Sequence, residues 1–348
     1  MKVVQVVKRF GLCGGMEEYV YRLTNVLSTQ GVKVTVLCEK KVNEPNDNDV
    51  QIFELEKSLQ KPRWMSHIIF AKKVRNWARL HANKNTIVHS HERIDCHHLT
   101  TIHSTLYNFA SSKKLPSLRN YFNEYIEHRE LNCSSVQKII PVSELISNQI
   151  YSKYSSSRDK LVPAISPGVS PINPVKKNLD LESPVIGFMG KEWKRKGLPK
   201  VIEIWRELRK EKPFSRLCLA GFPIDEPIGI LEDELKFVDL LGHVGRKEDF
   251  YEKIDFLLHP ALHEAYGMVI AEAVSLGIPT LCTHACGAAK IQNSLLKTLK
   301  YHDENSIWAE IIQDHIITSK LSNLGITRTW EDVTNDYIKV YHSITENK

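Results

Sequence analysis

The chain has 348 residues, of which 25% are charged, with a net charge of +6 and seven cysteines. This length exceeds what one compact core fills and divides into two domains of about 170 residues each. The cysteines are odd in number, scattered and without a C-x2-C pair, which excludes a disulfide scaffold and a structural zinc module. No stretch approaches the roughly 18 apolar residues of a membrane span. The apolar run in MKVVQVVKRF is too short for a secretory signal and reads as a first buried strand. A cytoplasmic protein in a reducing compartment is expected. The charge is modest, and nucleic acid is not an expected partner.

Residues 3–7 read as that strand, followed by the loop Phe10-Gly-Leu-Cys-Gly-Gly15 and a helix over 16–29 with Val20, Leu23, Val26 and Leu27 on one face. A strand at 32–38 completes a β-α-β unit without the G-x-G-x-x-G fingerprint, so a dinucleotide is not the first expectation. Gly14 and Gly15 either serve a ligand or simply make a tight turn into the helix.

A polar run at 43–49 and a short strand at 52–55 precede residues 62–80, where Arg63, Lys72, Lys73, Arg75 and Arg79 alternate with Trp64, Met65, Ile68, Phe70, Val74 and Trp77. Residues 113–129 make a similar case, with Leu115, Leu118, Tyr121, Phe122, Tyr125 and Ile126 at helical spacing beside Lys113, Lys114, Arg119 and Arg129. Such helices either pack on a sheet with a solvated basic face or lie on anionic lipid, as peripheral attachment to a membrane would require. Between them, Thr86-Ile-Val-His-Ser-His91 and Thr100-Thr-Ile-His-Ser104 read as buried strands ending in histidine, with Glu92, Arg93, Asp95, His97 and His98 in the connection. Five histidines raise a metal as one reading. Their spacings match neither HExxH nor a zinc-finger pair, so polar lining of a cleft is the expectation.

A strand at 138–142 leads to Ser143, an N-cap for a helix to about residue 154. Ser166-Pro-Gly-Val-Ser-Pro-Ile-Asn-Pro174 is dense in turn formers and reads as the interdomain linker, giving domains at 1–168 and 175–328.

The second half opens with a strand at 185–189, the loop Gly190-Lys-Glu-Trp-Lys-Arg-Lys-Gly197 and a helix over 199–209. Four cations in a glycine-bounded loop at the carboxyl end of a buried strand suit a diphosphate, the alternative being a charged surface loop. A strand at 217–220 and the run Leu240-Leu-Gly-His-Val-Gly245 follow.

The stretch from Asp255 to Cys286 then reads strand, loop, helix, strand, with Gly277 and Pro279 ending an almost wholly apolar helix. Glu272 interrupts its apolar surface, and a buried carboxylate needs partners. Glu264 lies eight positions earlier at the helix mouth, up to about 12 Å away along the element. Between them Tyr266, Gly267, Met268 and Val269 offer backbone N–H groups to an anion. The competing reading pairs Glu272 with an Arg or Lys in the core and leaves Glu264 solvated. Cys282-x-His284-x-Cys286 reads as buried thiols, and no metal is expected. A last helix spans about 329–344.

Glu264-Ala-Tyr-Gly-Met-Val-Ile-Ala-Glu272, with His-Pro before it and Gly-Ile-Pro after it, resembles the E-x7-E signature of family 4 glycosyltransferases. The resemblance implies the α/β GT-B fold, in which two Rossmann-like domains face each other across a cleft and the C-terminal helix, here 329–348, crosses back to the first. It implies a retaining, metal-independent enzyme without cofactor that moves a sugar from a nucleotide-diphosphate donor to a hydroxyl of a glycan or glycolipid. The branch resembled most is that of the lipopolysaccharide core glucosyltransferases, which favours a UDP-linked hexose.

Carried over by motif, Glu264 holds hydroxyls of the donor sugar, Glu272 holds the ribose, and the amides of Tyr266, Gly267, Met268 and Val269 hold sugar and phosphate. Lys196 and Arg195 match the family's diphosphate-binding cations, while Lys191 replaces the usual arginine one residue closer. Gly14-Gly15-Met16-Glu17 resembles the Gly-Gly-x-Glu loop, and Thr101-x-His103 the segment near the donor sugar. Asp95 matches an aspartate pointing into the active site. His243 and Val244 fall in the segment that holds the base through backbone groups, and Lys290 stands where many relatives carry glutamate. Two alternatives stay open: a catalytically silent sugar-nucleotide-binding subunit of a complex, and an epimerase or phosphorylase on the same fold.

Overall fold

The structure, a computed structural model, describes residues 1–42, 50–59, 61–107, 118–170, 180–319 and 328–346. The expected polar run at 43–49, residues 113–117 of the second basic segment and 171–174 of the linker lie outside them. Contacts divide the chain into two units, Met1–Gly168 with Arg328–Lys348, and Val169–Thr327.

The first unit holds strands β1 (Lys2–Val6), β2 (Arg9–Phe10), β3 (Lys33–Cys38), β4 (Lys40–Lys41), β5 (Gln51–Glu54), β6 (Thr86–Ser90), β7 (Leu99–Ile102) and β8 (Lys138–Pro141). Its helices are α1 (Gly15–Thr29), α2 (Arg63–His81), α3 (Leu118–Asn132) and α4 (Glu144–Lys153). Six of these strands form one sheet in the order β5-β3-β1-β6-β7-β8, every pair parallel. Strands β1 and β6 are buried on both faces, as parallel strands covered by helices must be. Phe70, Val74 and Trp77 of α2 pack on Val4, Val6 and Val88, and Val20 and Tyr21 of α1 pack near Val7 and Val36. Each such side chain taken fully out of water contributes roughly 1.5–3 kcal/mol.

The second unit holds β9 (Val185–Met189), α5 (Leu198–Leu208), β10 (Arg216–Ala220), β11 (Val238–Gly242), α6 (Glu248–Tyr251), β12 (Phe256–His259), α7 (Met268–Ser275), β13 (Thr280–Thr283), β14 (Leu296–Leu299) and α8 (Asn305–Ser319). Its sheet runs β11-β10-β9-β12-β13-β14, again all parallel. Trp205 of α5 and Trp308 and Ile312 of α8 fill one face, and Val269, Ile270 and Ala273 of α7 fill the other. Strand β14 and helix α8 went unread in the sequence, because LKTL and the helix after it carry no punctuation that separates them from loop.

The last helix, α9 (Trp330–Glu346), belongs to the first unit, where Tyr337 and Tyr341 are fully buried and Tyr19 of α1 bonds Tyr337. Elsewhere, predicted and observed bounds differ by a few residues, the usual fraying of helix and strand ends.

Each sheet reverses its strand order once, between β1 and β6 and between β9 and β12. In open parallel sheets ligands bind beyond the carboxyl ends of the strands at such a reversal. The loop after β9 is the four-cation loop and the loop after β12 carries Glu264, so sheet topology alone makes these two segments neighbours.

Candidate functional site

In the second unit, Lys196 Nζ lies 3.0 Å and Arg195 Nη1 3.5 Å from Glu264 Oε2. Backbone bonds lock both loops. Leu262 N donates to the Arg195 carbonyl at 3.0 Å, and Arg195 Nη1 donates to the His263 carbonyl. Glu264 N donates to Ala285 O, while Gly287 N and Ala288 N donate to Glu264 O and Tyr266 O, which pins the segment to the chain after β13.

Beneath Glu264 lies His259, fully buried and stacked on Phe188. Its Nε2 is 3.9 Å from Glu264 Oε2, beyond hydrogen-bond range, and among the described residues neither ring nitrogen has a hydrogen-bond partner. Burial pushes the His259 pKa down, so the ring is neutral at pH 7. Burial alone would raise Glu264, but His259, Lys196 and Arg195 outweigh it and hold the carboxyl well below the usual range. Glu264 is therefore an ionised, cation-paired group, and the solvated reading of it is corrected.

Two glycines make this geometry possible. Gly197 caps α5 with φ +89°, and a Cβ there would stand 2.0 Å from the Pro260 carbonyl oxygen. At Gly190 a Cβ would meet Lys196 Cδ at 2.4 Å, so the lysine stem runs across the bare glycine. Lys191 and Lys194 are exposed, the latter over the Trp193 ring. Lys290 is also exposed.

Gly267 opens α7 with φ +97°. The first-turn amides of Met268 and Val269 have no carbonyl one turn before them within the helix, which leaves them for an anion. Tyr266 and Val244 pack at the edge of the core under α7, and His243 is exposed at the end of β11.

Glu272 is 5% exposed, accepting from Lys247 Nζ at 2.5 Å and Tyr251 Oη at 2.6 Å. The core partner that the competing reading required is thus present. Neither residue was identified in the sequence, since they lie 25 and 21 positions earlier and nothing in their spacing ties them to Glu272.

The other candidates lie in the first unit. Gly14 is the N-cap of α1 and Gly15 its first residue; a Cβ on Gly14 would meet Glu17 Oε2 at 2.3 Å, and Glu17 accepts from Arg9 Nε at 3.0 Å. Asp95 is tied to Arg75 of α2 and Arg129 of α3. His103, just past β7, bonds His91 at 2.8 Å. The expectation that the histidines line a cleft is corrected for three of them, since His89, His91 and His97 are buried. Among the described residues no three metal-binding side chains converge. Cys286 Sγ lies 3.6 Å from Thr283 Oγ1.

Helix α3 buries carboxyl groups beside Ile126 and Leu131 and leaves apolar side chains exposed. Glu127 and Glu130 are buried while Leu118, Tyr121 and Tyr125 are exposed. The carboxylates face inward because they have partners there: Glu127 accepts from Lys153 Nζ at 2.6 Å, Tyr154 Oη at 2.7 Å and Tyr107 N at 2.8 Å, and Glu130 from Thr100 Oγ1 at 2.9 Å.

Residues 13–171 match the family described as Glycosyltransferase Family 4, and residues 183–313 that described as Glycosyl transferases group 1. The chain belongs to glycosyltransferase family 4. Among curated relatives, this family 4 chain is 30% identical over 105 residues to the lipopolysaccharide glucosyltransferase WaaG of Escherichia coli K12, across 29% of this chain. Alignments to WaaG and two further curated relatives span 28%, 29% and 36% of those proteins. Among solved structures, that of a WaaG involved in lipopolysaccharide biosynthesis superposes with a TM-score of 0.77 at 16% identity, covering 99% of this chain and 98% of that one. Anabaena HepE, solved with UDP-glucose, gives 0.64 at 15%, covering 100% and 99%. The fold of this family member is GT-B.

Proposed function

We infer that the chain transfers a sugar from a nucleotide-diphosphate donor, a UDP-linked hexose, to a hydroxyl of a glycan or glycolipid such as lipopolysaccharide core, with retention at the anomeric carbon. The observation that carries this reading is Glu264, half-buried and ionised, within 3.0–3.5 Å of Lys196 and Arg195 at the strand-order reversal of the second sheet. The family supports a transferase, and the names of WaaG and of the HepE complex with UDP-glucose support the donor and acceptor classes.

In this mechanism Lys196, Arg195 and the amides of Met268 and Val269 neutralise the departing diphosphate, whose charge grows in the transition state. Glu264, released from the cations, accepts from sugar hydroxyls, and Glu272 meets the ribose. The departing phosphate takes the acceptor's proton on the same face, and Asp95 and His103 orient acceptor and sugar. A thermal-shift series with UDP, GDP and ADP tests the donor assignment, because a ligand of the folded state raises apparent stability with its concentration. UDP should give the largest shift, and absence of a shift with all three nucleotides overturns the reading. Transfer to acceptor by the purified chain alone separates it from a silent subunit.

A membrane-facing role for α2 and α3 goes with this reading and with a site on the cytoplasmic face of the membrane. It is supported by Leu118 and Tyr121, 80% and 66% exposed, beside Arg119, and by Trp64 stacked on Phe122 at 4.2 Å. Arg75 and Arg129 are drawn off by Asp95, so fewer cations than expected remain for lipid. No helix among the described residues is long and apolar enough to cross a membrane. Salt-sensitive co-sedimentation with anionic liposomes is the expected result, and none retires the idea.

A further inference from the structure

His89 and His91, two of the buried histidines of the first unit, belong with His103 to one hydrogen-bond chain, and its direction can be worked out from its end. Tyr19 Oη lies 3.3 Å from the Ile165 carbonyl oxygen, which can only accept, so Tyr19 donates there. Its single hydrogen is then used, and at 2.9 Å Tyr337 must donate to Tyr19. By the same rule Thr101 Oγ1 donates to Tyr337 at 2.8 Å, and His89 Nε2–H donates to Thr101 at 2.8 Å.

A neutral imidazole that donates through Nε2 accepts at Nδ1, so Tyr341 donates to His89 Nδ1 at 2.8 Å. Gln5 Nε2 then donates to Tyr341 at 3.2 Å, which turns Gln5 Oε1 toward His91 Nε2 at 2.7 Å. His91 therefore carries its hydrogen on Nε2 and accepts at Nδ1, and the 2.8 Å contact there comes from His103 Nε2–H. Reversing the order would strip the buried Ile165 carbonyl of its Tyr19 donor. It would also place the Gln5 carbonyl toward Tyr341, so every link depends on the others.

We propose that this chain, running from Ile165 through Gln5 and His91, holds His103 in its Nε2–H tautomer, so that Nδ1 presents a lone pair which accepts a hydrogen bond from a substrate hydroxyl. Gln5, His91 and Tyr341 are then positioning residues that set what His103 recognises, and a ligand offering only an acceptor at that position is rejected. His91 is the only hydrogen-bond partner of His103 among the described residues, and the edge of the Tyr19 ring contact at 4.8 Å holds the imidazole plane. Tyr19 thus both terminates the chain and supports its other end. Burial keeps all three imidazoles neutral at pH 7, as the donor order requires. The consequence for turnover rests on the reading that His103 orients substrate.

Long-range proton–nitrogen correlation of the full chain labelled at histidine reads the tautomers without substrate. His89, His91 and His103 should each show a protonated Nε2 and a bare Nδ1; a protonated Nδ1 on His103, or a charged ring at neutral pH, overturns the proposal. Gln5→Glu supplies the functional arm. A carboxylate facing His91 draws a second proton onto that ring, His91 Nδ1–H then donates to His103, and the outward nitrogen of His103 becomes a donor. Turnover should fall at least about tenfold together with that tautomer change. Tyr341→Phe, which removes the link without adding charge, should mix the tautomers and also lower turnover. An unchanged His103 tautomer in both variants, or wild-type turnover despite the change, overturns the relay. Wild-type turnover in His103→Ala instead overturns the reading on which the functional arm rests, while the spectra of the unmutated chain still decide the tautomer assignment.

Discussion

Glu264 Oε2 stands 3.0 Å from Lys196 Nζ, so the carboxylate proposed to hold sugar hydroxyls neutralises the cation proposed to hold the diphosphate. Lys196, with His259 and Arg195, holds the Glu264 carboxyl ionised in this partly buried setting. Lys196→Ala should lower turnover at least about a hundredfold, because it removes charge opposite the leaving group. It should also cost about 1 kcal/mol in urea unfolding, since the partly buried Glu264 loses one of its two cations. Wild-type turnover would remove the phosphate assignment.

Gly190→Ala and Gly197→Ala should separate function from stability. The new Cβ at Gly197 meets the backbone oxygen of Pro260 in a left-handed conformation and should cost about 2–5 kcal/mol. At Gly190 it meets only the flexible stem of Lys196, which can swing aside. Gly190→Ala should therefore lose most turnover while melting within a few degrees of the wild type; steady-state kinetics and calorimetry on both variants check this.

Glu272 has a core role in the bonds from Lys247 and Tyr251, and a ligand role only by proposal. Tyr251→Phe should cost about 1 kcal/mol and leave nucleotide affinity within about threefold. Glu272→Gln should cost about 1–3 kcal/mol and also weaken UDP binding. Calorimetric titration decides: unchanged UDP affinity in Glu272→Gln would make the residue a core anchor and nothing more.

Glu130 predicts a pH dependence. Burial, only partly offset by Arg93 and the Thr100 hydrogen bond, pushes its carboxyl up to about 8. The folded state thus binds a proton that the unfolded chain releases near 4.5, so this contribution is fully present below that value and is lost as pH rises toward 8. Glu130→Gln, which mimics the protonated form, should flatten the fall in melting temperature between pH 6 and about 8.5. An equally steep fall in the variant would assign the dependence to another group.

The sequence by itself determined the two parallel sheets, the helix-mouth loop from Glu264 to Glu272 and the cationic loop ending at Lys196. Their signals are local: two-sided apolar strands, glycines at helix mouths, and a motif whose residues are neighbours in the chain. Only the tertiary structure decided what those residues touch. Lys247 and Tyr251 reach Glu272, Arg75 and Arg129 share Asp95, and Tyr341 at the far end of the chain reaches Gln5. The burial of Glu127 and Glu130 in α3 was illegible for the same reason. Helical spacing marks one face as apolar, but Glu127 and Glu130 turn inward because Lys153, Tyr154 and Thr100 wait there, and periodicity carries no trace of partners that folding brings from elsewhere.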